Sequence, residues 1–237
     1  DGFVLSHTMM PVISPPAAAV RKFLPPYKPH TILDANNPMT INSVLLPNRR
    51  PDSEGVVCDG YMEMRYKLQN ALDRSPETIR EVNRQYAEAF GRDHGGMLWT
   101  HRTEDADVIL TSMGSLAAEA TVAADALREE GIKAGVVGIR VYRPFPVKEA
   151  VEAYRGAKAI ILFEKSISYG YEGGLCSDLK AAFYGSGIQA TIHDYVAGLG
   201  GRDVKARELV EAVKSSLARI QAGEKDLKTT WLNCATE

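Results

Sequence analysis

The sequence is poor in cysteine: Cys58, Cys176 and Cys234 are the only three among 237 residues, and no two stand at a C-x-x-C spacing. That excludes a disulfide framework or a zinc clip and points to a reducing, cytoplasmic compartment. It has no excess of either charge, with 28 Lys and Arg against 30 Asp and Glu and a formal net charge of −2. No overall field therefore gathers nucleic acid or an anionic membrane, and neither is expected as a partner. Apolar runs stop well short of the ~20 residues that cross a bilayer, and the start carries no basic-then-apolar signal peptide. Nucleotide fingerprints are missing as well. No G-x-x-x-x-G-K-S/T occurs, and the glycine cluster "GLGGRD" at 198–203 has Asp203 where G-x-G-x-x-G needs its last glycine. The five histidines (His7, His30, His94, His101, His193) show no metal-ligand spacing, and no Ser/His/Asp or Cys/His order stands out. His193, inside an apolar run, reads as a hydrogen-bonded core histidine.

What is present begins abruptly. Residue 1 is Asp, and "DGFVLS" reads as a strand already under way, so the chain is expected to be part of something longer whose other part holds the chemistry. Nine of the twelve prolines fall within the first 51 residues. Proline removes an amide donor and restricts its neighbour, so residues 9–60 read as an extended arm laid on another surface, anchored by Phe23, Leu24 and Tyr27. Residues 61–104 form a helical segment. Met64, Leu68 and Leu72 share a face, and Ile79, Val82, Tyr86 and Phe90 recur at helical spacing after "SPE" at 75–77. Two consecutive helices, the second capped by Ser75, or one helix kinked at Pro76 both fit.

From residue 105 to 222 strands and helices alternate. "ADVILTS" (106–112), "AGVVGIRVY" (134–142), "AKAIILFE" (157–164) and "IQATIHDYVAG" (188–198) are short and almost continuously apolar, as strands covered on both faces must be. Helices follow each, with Leu116, Ala120, Ala123 and Leu127 on one stripe and Leu209, Val210, Val213, Leu217 and Ile220 on another. The fold class implied is α/β, a doubly wound, mostly parallel sheet with right-handed crossovers. In the tail, 223–237, Trp231 is the expected anchor. Ligands of such sheets sit at the carboxyl ends of the strands, which nominates the loops "MGSL" (113–116), "RPFP" (143–146), "KSISYGYEGG" (165–174) and "GLGGRD" (198–203). The last is either an anion nest with Arg202 or a left-handed turn with Asp203 capping the final helix, and its failed spacing favours the turn. "KSISYGYEGG" suits contact with a substrate or a neighbouring subunit, or a plain crossover with helix capping. The residues alone leave a free-standing α/β nucleotide-binding protein and a non-enzymatic interaction module open.

Seven stretches in order, "DGFVLSHT", "FLPPYKP", "GYMEMRYKLQNAL", "VILTSMGS", "GIRVYRPFP", "EKSISYGYEGG" and "AGLGGRDV", resemble the C-terminal half of the alpha subunit of 2-oxoacid:ferredoxin oxidoreductases of the pyruvate:ferredoxin oxidoreductase type. The resemblance implies that residues 1–8 end a pyrimidine-binding thiamine diphosphate domain and that 105–222 form a transketolase C-terminal-like domain. It implies oxidative decarboxylation of a 2-oxoacid with coenzyme A to acyl-CoA, carbon dioxide and a reduced acceptor. This stretch would bind no cofactor alone. Thiamine diphosphate with Mg and the 4Fe-4S clusters would lie on other subunits, among beta, gamma and a ferredoxin-like delta, which with a redox carrier are the implied partners. Ser6 and His7, at the end of the first strand, are the catalytic candidates it offers. Where the family has a shorter connection, this sequence carries "NRRPDSEGVVCD" before the 61–72 helix. Pyruvate is the default substrate, and branched, aromatic or dicarboxylic oxoacids are equally compatible.

Overall fold

The computed structural model describes residues 50, 51, 54, 55, 57–225 and 227–235. Ser6, His7 and the arm residues Phe23, Leu24 and Tyr27 lie outside them. The chain divides into two compact units, residues 1–73 and 74–237. In the first, β1 (Arg50–Pro51) pairs antiparallel with β2 (Val57–Cys58), and helix α1 (Tyr61–Phe90) begins. An ion pair joins Lys67 to Asp59 ahead of the helix.

Helix α1 continues into the second unit without a break, so Ser75 is an interior residue and not the first residue of a second helix. Proline deprives a helix of one hydrogen bond. Here side-chain pairs one turn apart support the stretch beyond it: Arg84 reaches Glu81 and Glu88, and Gln85 donates to Glu81 at 2.7 Å. Within the second unit, an ion pair joins Arg80 of the helix to Glu149. None of its residues is buried.

The second unit is a six-stranded sheet in the order β3-β5-β4-β6-β7-β8. The strands are β3 (Leu98–His101), β4 (Val108–Met113), β5 (Ala134–Ile139), β6 (Ala159–Glu164), β7 (Thr191–Val196) and β8 (Thr230–Trp231). All neighbours are parallel except β3, which runs antiparallel to β5. The four strands expected from the sequence form the middle. Ile109 and Leu110 of β4, and Ile160, Ile161 and Leu162 of β6, are essentially inaccessible, as continuous apolar runs between two helical layers should be.

One layer is α2 (Gly114–Glu129) with α5 (Ala206–Gln221). The other is α3 (Val147–Ala153) with α4 (Gly174–Phe183). Under α2 and α5 lie Val108, Leu110, Val136, Ile161, Phe163 and Tyr195; under α3 and α4 lie Ile109, Val137, Ile160 and Leu162, packed against Leu175 and Leu179 of α4. The alanines Ala117, Ala120, Ala123 and Ala124 of α2 are fully buried and let that helix approach the sheet closely.

The edges of the sheet, β3 and β8, were not legible as strands. Each is short, and each acquires its extended form from the neighbour it pairs with. The sheet thus takes strands from outside residues 105–222. Trp231 aligns with Val196 in β8, yet it is 44% exposed while Leu227 is 5% exposed, so Leu227 is the apolar anchor of the tail. Strand β4 lies between β5 and β6, and the chain leaves it for one side and then for the other. A crevice therefore opens at the carboxyl ends of β4 and β6, the topological switch point of the sheet.

Candidate functional site

That crevice is a cleft of about 1080 Å³. Trp99, Ile139 and Tyr142 form an apolar side, and Met113, Gly114 and Ser115 enter from the start of α2. Lys165, Ser166, Ile167 and Ser168 close it from the β6–α4 loop. Two of the four nominated loops, "MGSL" and the first half of "KSISYGYEGG", therefore meet here. Tyr142, just ahead of "RPFP", borders it. Its ring carries the Arg143 guanidinium at 4.1 Å, and Arg143 also pairs with Asp178 at 2.8 Å. Burial and the Asp178 carboxylate push the Tyr142 phenol up.

Two serines of the cleft are already engaged. Ser112 donates to the Phe163 carbonyl at 2.6 Å, and Ser166 donates to Glu164 Oε2 at 2.6 Å. Glu164, the last residue of β6 and only 5% exposed, accepts from the backbone amides of Leu175 and Cys176, both at 3.0 Å. A carboxylate across the first amides of a helix satisfies donors that have no partner within the helix and lies at the positive end of its dipole. Glu164 is therefore the cap of α4, and Ser166 is held by the same carboxylate. Neither of these two serines has a base free to take its proton. Apolar walls with a few fixed polar groups suit the seating of a small amphiphilic molecule or a neighbour's side chain.

A second carboxylate lies beside the first. Asp194 of β7, 2% exposed, accepts from the Gly173 amide at 3.1 Å and from Thr229 Oγ1 at 2.9 Å, both through Oδ2, while Oδ1 has no partner. Burial and the neighbouring Glu164 push its carboxyl up to about 7. Cys176 is buried against the same place, and burial followed by the Asp194 charge pushes its thiol up, which removes it as a nucleophile. Neither acid was nominated from the sequence. The available signal was an acidic residue inside otherwise apolar strands, "AIILFE" and "TIHDYV".

The glycine loop adjoins the cleft, where Gly201 and Arg202 line a neighbouring pocket with Ser115 and Lys165. Leu199–Gly201 form a 3-10 turn, with Gly198, Gly200 and Gly201 at φ of 71°, 64° and 81°. This is the left-handed reversal that glycine permits. The expectation that Asp203 caps α5 is corrected: the cap position is Lys205, whose amide donates to Glu208 at 2.8 Å, and the Ala206 amide donates to Glu119 at 2.7 Å. Glu119 comes from α2 and occupies the place the sequence assigned to a local acid. His193 is a core residue as expected, hydrogen-bonded to Ser216 at 2.7 Å and Thr230 at 3.0 Å. Burial and then the Arg219 charge push it down to about 4, so it is neutral. Among the described residues no three His, Cys, Asp or Glu stand together as metal ligands, and no helix is long and apolar enough to cross a membrane.

The pyruvate:ferredoxin oxidoreductase core domain II family model matches residues 106–209. Ketoisovalerate oxidoreductase subunit VorA of Pyrococcus horikoshii is 35% identical over 98% of this chain and 56% of its own. Pyruvate synthase subunit PorA of Pyrococcus furiosus is 35% identical over 100% of this chain and 57% of its own. A split-gene transketolase, solved as an inactive beta4 tetramer, is 26% identical over 49% of this chain and 41% of its own, with a TM-score of 0.40. The chain spans about half the length of the curated relatives it matches. An unbroken similarity of this extent, laid over the doubly wound sheet, places the chain in the family of 2-oxoacid:ferredoxin oxidoreductase alpha subunits.

Proposed function

We propose that the chain is the alpha-subunit portion of a multisubunit, thiamine diphosphate-dependent 2-oxoacid oxidoreductase. The complex breaks the bond between the carboxylate and carbonyl carbons of a 2-oxoacid, releases carbon dioxide and joins the acyl group to the sulfur of coenzyme A. Two electrons and a proton leave with the acceptor side. Within it, the α/β unit is scaffold and subunit-packing surface for chemistry carried by neighbouring polypeptides, including the beta, gamma and ferredoxin-like delta chains.

The observation that carries this reading is the collinear identity with alpha subunits over 98% to 100% of the chain. Relatives named for two different oxoacids match at the same 35% identity, so the commitment is to the 2-oxoacid class. The described residues do not offer a ligand set for the Mg ion or the 4Fe-4S clusters, and no step is assigned to them. What they do supply is rigidity: Glu164 fixes the start of α4, and the Arg143–Asp178 pair fixes the loop beside the cleft. Residues 1–8 as the end of a pyrimidine-binding domain, with Ser6 and His7 near the reacting centre, belong to the same proposal.

Native mass spectrometry with a coupled assay tests it. Coexpressed with the remaining subunits, the chain is expected in a complex that reduces a viologen dye only when a 2-oxoacid and coenzyme A are both present. Alone, it is expected to turn nothing over. A sole species of 25.9 kDa under coexpression, or turnover of a 2-oxoacid by the isolated chain, overturns the reading.

A further inference from the structure

We propose that Asp194 and Glu164 share a single proton, and that this proton latches the Lys165–Gly173 loop and the residues leading into β8 onto the carboxyl end of the sheet.

The placement comes from the sheet register. Strands β6 and β7 are parallel neighbours in which Leu162 aligns with Asp194 and Glu164 with Val196, so Asp194 and Glu164 are diagonal neighbours on one face. Gly173 lies against both head groups. Its amide donates to Asp194 Oδ2 at 3.1 Å, and a β-carbon placed on it would fall 1.9 Å from Glu164 Oε1. Both side chains are at least 95% buried.

Every other oxygen in the pair has a donor. Glu164 receives two amides and one hydroxyl, and Asp194 Oδ2 receives one amide and one hydroxyl. Asp194 Oδ1 alone has none. Among the described residues, the titratable and charged groups around it supply no cation. Glu164 faces it from β6, and Cys176 faces it from α4 with a thiol that is pushed up. Lys180 of α4 is ion-paired with Glu172 of the loop. From the tail Thr229 contributes a neutral hydroxyl. His193 and Tyr195, flanking Asp194 on β7, hydrogen-bond to Ser216 and thus turn to the opposite face, under α5.

Two ionised carboxylates in such a place repel without screening, whereas one protonated member donates an O–H to the other. The proton then ties Asp194 to Glu164; without it the Gly173 and Thr229 donors hold the ionised Asp194 while the two carboxylates repel across Gly173. Because Lys165, Ser166, Ile167 and Ser168 form a wall of the cleft, loss of the proton loosens that wall. The sign follows. The folded chain retains a proton that the unfolded Asp releases near its ordinary value. The pair's contribution to stability is therefore greatest in mild acid and declines as pH rises towards about 7.

The test follows the Asp194 carboxyl by carbon-13 NMR in the 237-residue chain from about pH 4 to about pH 9, with hydrogen exchange of the Gly173, Leu175 and Cys176 amides. Asp194 is expected to titrate near neutrality. Exchange at Gly173 is expected to rise roughly tenfold beyond the intrinsic base-catalysed increase across that transition. In Asp194→Asn the excess disappears, because the amide donates to Glu164 at every pH. In Glu164→Gln the Asp194 titration falls towards the ordinary carboxylate range, which burial alone would not produce. An Asp194 already ionised in mild acid, the same excess exchange in Asp194→Asn, or a titration unmoved by Glu164→Gln overturns the proposal. If Asp194→Asn does not fold, the wild-type and Glu164→Gln titrations decide it.

Discussion

Replacing Gly173 by alanine tests the capping of α4 without straining the folded backbone. At φ −64° and ψ 150° the position is open to any L-residue, so alanine carries no conformational penalty there. The added methyl instead falls 1.9 Å from Glu164 Oε1 and 2.1 Å from its carboxyl carbon, well inside van der Waals contact. The carboxylate must move by more than an ångström. It then leaves the Leu175 and Cys176 amides, which it holds at 3.0 Å each, and the Ser166 hydroxyl at 2.6 Å. Charge-assisted bonds contribute about 1.5–3 kcal/mol each. Alanine returns about 0.4–1 kcal/mol by restricting the unfolded chain. Losing two such bonds with partial replacement by water leaves a net cost of about 3 kcal/mol, a large share of a typical domain stability of about 5–15 kcal/mol. Urea unfolding reads the cost, and hydrogen exchange locates it in the first turn of α4. Glu164→Gln, which keeps the shape and loses the charge, should fall between wild type and Gly173→Ala. A Gly173→Ala chain within about 0.5 kcal/mol of wild type, with the Leu175 and Cys176 amides as protected as before, would refute the reasoning.

Gly138 of β5 supports Trp99 in the same way: a methyl there would fall 2.2 Å from the indole Cε2, so Gly138→Ala should expel the ring from the cleft wall. Its fluorescence, measured in a Trp231→Phe background, should shift to the red; an unshifted spectrum counts against the packing. Leu179→Ala opens a cavity beneath α4, where the side chain is fully buried, and should cost about 2–5 kcal/mol by urea unfolding. A loss below about 1 kcal/mol would mean that the layer collapses around the gap. His193 titrates at about 4 folded against 6.5 as a free side chain, so the unfolded chain binds a proton that the folded chain refuses between those values. Stability should therefore fall as pH drops through that window, by roughly 1–3 kcal/mol, and His193→Gln should flatten the slope; an unchanged slope places the acid sensitivity elsewhere.

The central strands, their helices and the α/β class follow from local pattern alone. Runs such as "VILTS" and "AIILFE" are too continuously apolar to face water on either side, and each is followed by a stripe of helical period. The left-handed glycine turn at 198–201 was legible for a similar reason, since backbone freedom is a property of the residue itself. Other features were decided by proximity in the folded chain. Pro76 was compatible with a break and lies within one helix. Asp203 looked like the cap of α5, but Glu119 and Glu208 receive those amides, one of them from a distant helix. Strands β3 and β8 exist only where β5 and β7 offer an edge.

The cleft needs β6 to lie beside β4, and the Glu164–Asp194 pair needs a particular parallel register. Hydrophobic periodicity fixes what each segment becomes, because burial acts on each residue along its own element. Which acids meet, which amides they satisfy and which loops form a common wall depend on contacts between residues far apart in sequence, and those belong to the tertiary structure.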